Sequence, residues 1–165
     1  MTTSNSLKSF AHIAVAAAAT TLLIQACGGN ATAQSAPDAD AIEGVWESSV
    51  TIKDCTSGAV VRTFKGVGLF HRGGSLTADN SLPRPSQGIS LGNWRRDTGQ
   101  AYTANFRFLR FNADGSLAGS QKVRRSLTLA ADNNSFTGTL TGQVLDTAEV
   151  VLQPICGTET ALRIY

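Results

Sequence analysis

From Ile42 to the C-terminus, apolar and polar residues alternate with a period of two. No stretch there holds a helical repeat for more than about two turns. Trp46, Ser48, Val50 and Ile52 fall on one face and Glu47, Ser49, Thr51 and Lys53 on the other, which predicts a first strand. Thr56-Ser57-Gly58 turns the chain into a second strand, from about Val60 to His71. Arg72-Gly73-Gly74-Ser75 leads to a short third, Leu76 to Asn80. Ser81 to Gly88 carries Pro83 and Pro85, whose missing N–H groups keep it out of a sheet interior, so it reads as the longest loop. A fourth strand is expected over Gly92–Arg96, with a turn at Asp97-Thr98-Gly99. The fifth runs from Ala101 to Phe111 with Tyr102, Ala104, Phe106 and Phe108 on one face. Asp114-Gly115 suits the positive φ of a hairpin and leads to a sixth strand, Leu117 to Leu129. After Asp132-Asn133-Asn134, a seventh strand aligns Phe136, Gly138, Leu140, Gly142 and Val144. The last runs from Glu149 to Ile164, with a bulge expected at Pro154.

Eight sequential strands with short turns predict an all-β fold, either an up-and-down antiparallel barrel or a sandwich. Cys55 ends the first strand and Cys156 lies in the last. A disulfide needs Cα atoms within about 7 Å, which antiparallel pairing of those two strands supplies. First-to-last pairing is also what closes a barrel. The expectation is therefore an eight-stranded closed barrel over residues 42–165, with a Cys55–Cys156 bond.

Upstream the pattern changes. Lys8 is the only charge before Asp38, and behind it runs an apolar block from Phe10 to Leu22-Leu23-Ile24, the layout of a secretory signal peptide. Leu23-Ile24-Gln25-Ala26-Cys27 resembles a bacterial lipobox, which implies cleavage after residue 26 and a lipid on Cys27. A small-residue site, Ala31-Thr32-Ala33, offers an alternative cut after residue 33. Gly28 after the cysteine resembles the signal for export to the outer membrane. Residues 27–41 then form a flexible tether, and the expected address is an outer-membrane lipoprotein facing the periplasm. The alternative cut gives a soluble periplasmic or secreted protein. Either route removes Cys27 from the thiol count and leaves an even pair in an oxidising compartment.

Gly44-Val45-Trp46, a G-x-W on the first strand, resembles the opening motif of lipocalins and their calycin relatives, which include the avidins and fatty-acid-binding proteins. The resemblance implies a barrel in which Trp46 plugs one end and an arginine from the end of the chain packs over it. Arg163 is the candidate.

Composition narrows the chemistry. With 42% apolar residues, 16% charged and a net charge of +2, the chain is neither a disordered polyampholyte nor a nucleic-acid polycation. No zinc-type cluster and no H-E-x-x-H, G-x-S-x-G, P-loop or Rossmann pattern occurs, so no catalytic residue, metal or cofactor is assigned. His71 reads as a turn residue. Asp54, Asp79, Asp97, Asp114, Asp132 and Asp146 read as Asx-type turn formers.

Arginine is the feature to follow. Neighbours such as Arg95-Arg96 and Arg124-Arg125 must point to opposite faces of a strand. Alternation places Arg125 with Val123 and Leu127, Arg110 with Phe106 and Phe108, and Arg62 with Phe64. A buried guanidinium needs an anionic partner, either an acidic side chain or a ligand carboxylate or phosphate. The resemblance to fatty-acid-binding proteins implies the second. The expected site is a wall of Trp46, Phe64, Tyr102, Phe106, Phe108 and Phe136 around a small apolar or amphipathic molecule, with Arg110 and Arg125 as anion contacts. Two rivals stand beside it: an envelope interaction module with a packed interior, and a cyclase- or isomerase-like barrel enzyme analogous to allene oxide cyclases and dirigent proteins. Gly66, Gly68, Gly138 and Gly142 either leave room for a ligand or let strands coil around bulky neighbours. The interior separates the three readings: a cavity with an inward arginine, no cavity, or a cavity with a poised carboxylate.

Overall fold

The computed structural model describes residues 39–83 and 86–165. The expected signal peptide, Cys27, most of the tether and Arg84 lie outside them. Eight strands follow one another: β1 (Gly44–Lys53), β2 (Val60–Phe70), β3 (Ser75–Asn80), β4 (Ser90–Thr98), β5 (Ala101–Phe111), β6 (Leu117–Leu129), β7 (Ser135–Leu145) and β8 (Val151–Arg163). Each pairs antiparallel with the next, and β8 returns to β1, from Trp46 opposite Arg163 to Lys53 opposite Cys156. The result is the expected up-and-down closed barrel, with no free sheet edge between first and last strands. Cys55 and Cys156 are disulfide-bonded at that seam, with Cα atoms 5.2 Å apart.

Closing eight strands around so small a core requires sharp coiling, and glycine permits it where backbones converge. A Cβ on Gly92 would lie 1.9 Å from the Asn105 carbonyl oxygen, and one on Gly142 would lie 2.2 Å from that of Lys122. Any other residue at either position would push adjacent strands apart.

Three local expectations change. β4 extends beyond Gly92–Arg96 at both ends, to Ser90 and Thr98, and the turn shrinks to Gly99-Gln100. Asp97 is therefore a strand residue, held by the Thr103 hydroxyl at 2.6 Å and Arg95 Nε at 2.9 Å. Asp79 likewise lies within β3, not in a turn; Asp54, Asp114, Asp132 and Asp146 do cap turns by accepting backbone N–H groups. The bulge in β8 lies earlier than Pro154. Leu145 pairs with Val151 and Val144 with Gln153, so the irregularity is at Leu152. Pro154 keeps regular register with Gln143, and β1 ends opposite Cys156, so no β1 ladder bond is asked of the proline.

One end of the barrel is solid. Ile42, Trp46, Phe70, Leu76, Trp94, Tyr102, Leu127, Leu129 and Phe136 form a buried cluster. Its rings meet at offset and tilted angles, Trp46 to Phe136 at 4.9 Å between centroids and Phe70 to both Trp94 and Phe136 at 6.1 Å. Arg163 seals it from outside, with its guanidinium carbon 4.3 Å from the Trp46 ring centre. It donates to the carbonyls of Glu43 (2.6 Å), Ala41 (2.5 Å) and Asn133 (3.0 Å). Trp46 Nε1 donates to the Ile42 carbonyl at 2.8 Å, and the Tyr102 hydroxyl to Asp40 at 2.5 Å. Asp40 and Ala41, the last residues of the expected tether, are thus tied into the closed end.

Candidate functional site

Beyond this plug the barrel is hollow. A cavity of about 620 Å³ extends to the opposite end, where the rim includes Lys53, Asp54, Cys55, Arg62, Leu82 and Arg110. The register explains the space. One inward row across β1 to β4 reads Trp46–Gly68–Ala78–Ser90, and the next reads Ser48–Gly66–Asn80. Small side chains on four consecutive strands face larger ones elsewhere, such as Phe106, Val123 and Ile155 in the row that runs through Gly142 from β5 to β8. Val50, Phe108, Val123 and Leu140, with Ile52, Phe64 and Phe106 against them, make a second apolar cluster around the hollow.

Of the expected wall, Trp46, Phe64, Phe106, Phe108 and Phe136 line the cavity, as do both anion candidates, Arg110 and Arg125. Tyr102 does not. It faces inward but sits in the plug, where burial first and the Asp40 hydrogen bond second push its hydroxyl up to about 12.

The two arginines differ. Arg125 and Arg124 split across the strand as expected, Arg125 buried and Arg124 exposed. Arg125 Nε and Nη2 donate to the two Glu159 oxygens, both at 2.6 Å. Its guanidinium also stands 5.7, 5.8 and 5.7 Å from the Phe70, Phe106 and Phe136 ring centres. An acidic side chain therefore fills the fork expected to meet a ligand anion. Glu159 was not singled out in the sequence, yet period two from Ile155 through Gly157 puts it on the inner face. Because its two oxygens serve Arg125, it is not the free carboxylate that a poised acid or base needs. Arg110, half-buried at the rim, makes no side-chain hydrogen bond or ion pair with any described residue. Arg62, exposed, lies 5.8 Å above the Phe64 ring. His71 is at the closed end, with Nε2 3.1 Å from the Thr77 hydroxyl. Among the described residues no group of three or more His, Cys, Asp or Glu could hold a metal ion.

Fold and cavity together define a class: a closed eight-stranded antiparallel barrel, plugged at one end by aromatic rings and open at the other into a chamber of ligand size. The chain matches no protein-family model, no curated protein and no solved structure. Its functional reading therefore rests on the chamber itself.

Proposed function

We propose that this protein is an exported, lipid-anchored barrel that binds one small amphipathic molecule, with the apolar body inside and an anionic end at Arg110. The observation that carries the reading is the chamber of about 620 Å³, within the range of about 300–1,000 Å³ typical of small-molecule sites. A module that acts only through its outer surface would gain stability by filling that space, since unfilled core volume is destabilising. The resemblance of residues 23–27 to a lipobox supports the anchor on Cys27, and the disulfide suits an oxidising compartment such as the periplasm. Arg125 is internally neutralised, so the cations available to a ligand head group are those of the rim, Lys53, Arg62 and Arg110, and Arg110 stands on the same strand face as Phe106 and Phe108.

The test is equilibrium uptake of a neutral naphthylamine fluorophore by the mature protein. Saturable binding with one site is expected. Gly68→Leu should weaken it by about tenfold or more while the protein stays folded. A Cβ at Gly68 meets only ordinary contacts at 3.9–4.0 Å, so the added side chain enters the chamber without moving backbone. Arg110→Gln should weaken an anilinonaphthalene sulfonate about tenfold and leave the neutral probe unchanged. Wild-type protein that takes up neither probe would refute the reading.

A further inference from the structure

The chamber is not evenly apolar. Its β5–β7 side presents Phe106, Phe108, Val123, Leu140 and Val144. The β1–β4 side sets the hydroxyls of Ser48 and Ser90, beside Asn80 and Gln87, among its apolar Val50, Ile52 and Phe64. Ser48 and Ser90 are 8% and 3% exposed, and neither hydroxyl is hydrogen-bonded to another described residue. Both are inward by strand register: Ser90 continues the Gly68–Ala78 row, and Ser48 sits opposite Gly66. Gly66 keeps that hydroxyl clear, because a Cβ there would lie 2.7 Å from Ser48 Oγ.

A straight alkyl chain laid along this side would strip water from two hydroxyls and return no hydrogen bond, at a cost for each buried group. A ligand with oxygens along one edge would satisfy them and keep its other face against the Phe106–Leu140 side. Sites built to hydrogen-bond a substrate group discriminate strongly against analogues that lack it. We propose that the chamber selects a facially amphipathic, ring-based molecule with hydroxyl or carbonyl oxygens along one edge, over a straight-chain lipid. The juxtaposition of two unpaired serine hydroxyls facing the chamber with an aromatic and aliphatic wall across it carries this inference. It rests on the reading of the chamber as a ligand site.

Competition against the neutral naphthylamine fluorophore separates the two claims. The competitors are cholate, with three hydroxyls on one face, its monohydroxylated analogue lithocholate, and hexadecanoate; all are carboxylates, so the Arg110 contact is common to them. Cholate is expected to displace the probe at about tenfold lower concentration than either rival. The Ser48→Ala/Ser90→Ala double variant should lose that advantage and still bind the fluorophore, which shows that it folds. If the fluorophore binds but cholate displaces it no better than lithocholate or hexadecanoate, or not at all, the selectivity is overturned and the chamber reading stands. An advantage for cholate that survives in the double variant also overturns the assignment to these serines. If the fluorophore does not bind wild-type protein, both fall.

Discussion

The Arg125–Glu159 pair offers the sharpest test of the interior. Their side chains are 6% and 1% exposed and joined by two hydrogen bonds of 2.6 Å, so each charge relies chiefly on the other. Removing one partner of such a pair costs about 3–5 kcal/mol, mostly because the other charge remains buried and alone. The surroundings make the two removals unequal. In Glu159→Leu the orphaned guanidinium keeps three aromatic rings within 5.8 Å, and cation–π attraction of about 0.5–2 kcal/mol offsets part of the loss. In Arg125→Met the orphaned carboxylate has no cation–π attraction to offset its loss. The expected losses are about 3 kcal/mol for Glu159→Leu and about 5 kcal/mol for Arg125→Met. The double variant replaces the ions with apolar groups of similar size and should lie within about 1 kcal/mol of wild type, or above it. Urea unfolding with the disulfide intact measures all three; 3 kcal/mol corresponds to a midpoint about 1–3 M lower. Two single variants each losing less than about 1 kcal/mol would refute the reasoning. So would a double variant no more stable than the worse single one.

Reduction of Cys55–Cys156, 101 residues apart in sequence, should lower stability by up to about 4.7 kcal/mol in the chain-entropy account, read as a drop in the urea midpoint with reductant present. Tyr102 should ionise near pH 12, read by tyrosinate absorbance in a Tyr165→Phe background that removes the exposed phenol. Its folded pKa lies above the ordinary value of 10.0, so this contribution to stability is fully present below pH 10 and is lost as pH rises towards 12; Tyr102→Phe should flatten stability across that window. Mass spectrometry of envelope protein should find Cys27 as a lipid-modified first residue, and Cys27→Ser should abolish the modification; an unmodified N-terminus at Gln34 would move the protein to the soluble alternative.

Much of the fold was legible because strand alternation and turn chemistry are local signals. β5 and β6 fall on the expected residues, since Tyr102 to Phe108 alternate cleanly and Asp114-Gly115 fixes the hairpin between them. The closed topology was legible from two cysteines, because a bond at that position requires first-to-last pairing. The chamber was harder to see. Gly66, Gly68, Ala78, Ser48 and Ser90 are scattered through the chain, and only cross-strand register reveals that they stack into adjoining rows. Glu159 escaped for a related reason: Leu162 and Ile164 suggest that the other parity of β8 faces inward, yet Leu162 is 64% exposed. Tyr102 shares its strand face with Phe106 and Phe108, and alternation cannot tell a residue in the plug from one beside the hollow.

The barrel divides its work between its two ends and its two sides. Aromatic packing and the Arg163 clamp hold the end where β1 begins and β8 finishes, and the disulfide ties the same two strands at the other end. The seam is thus fastened at both ends, which relieves the middle of the barrel from having to be solid. In that middle, Ser48, Gly66, Gly68, Ala78 and Ser90 fall on adjoining inward rows of β1 to β4 and leave the space unfilled. Emptiness at that place is destabilising by itself. The charge pair at Arg125 and Glu159 stands where plug meets hollow, with Phe70 and Phe136 on the packed side and Phe106 on the open side. It is satisfied within the protein, so it supplies a fixed polar floor without asking a ligand to neutralise it. In the proposed reading, a ligand's charge is then best placed at the rim, beside Arg110, and its uncharged oxygens along the serine side.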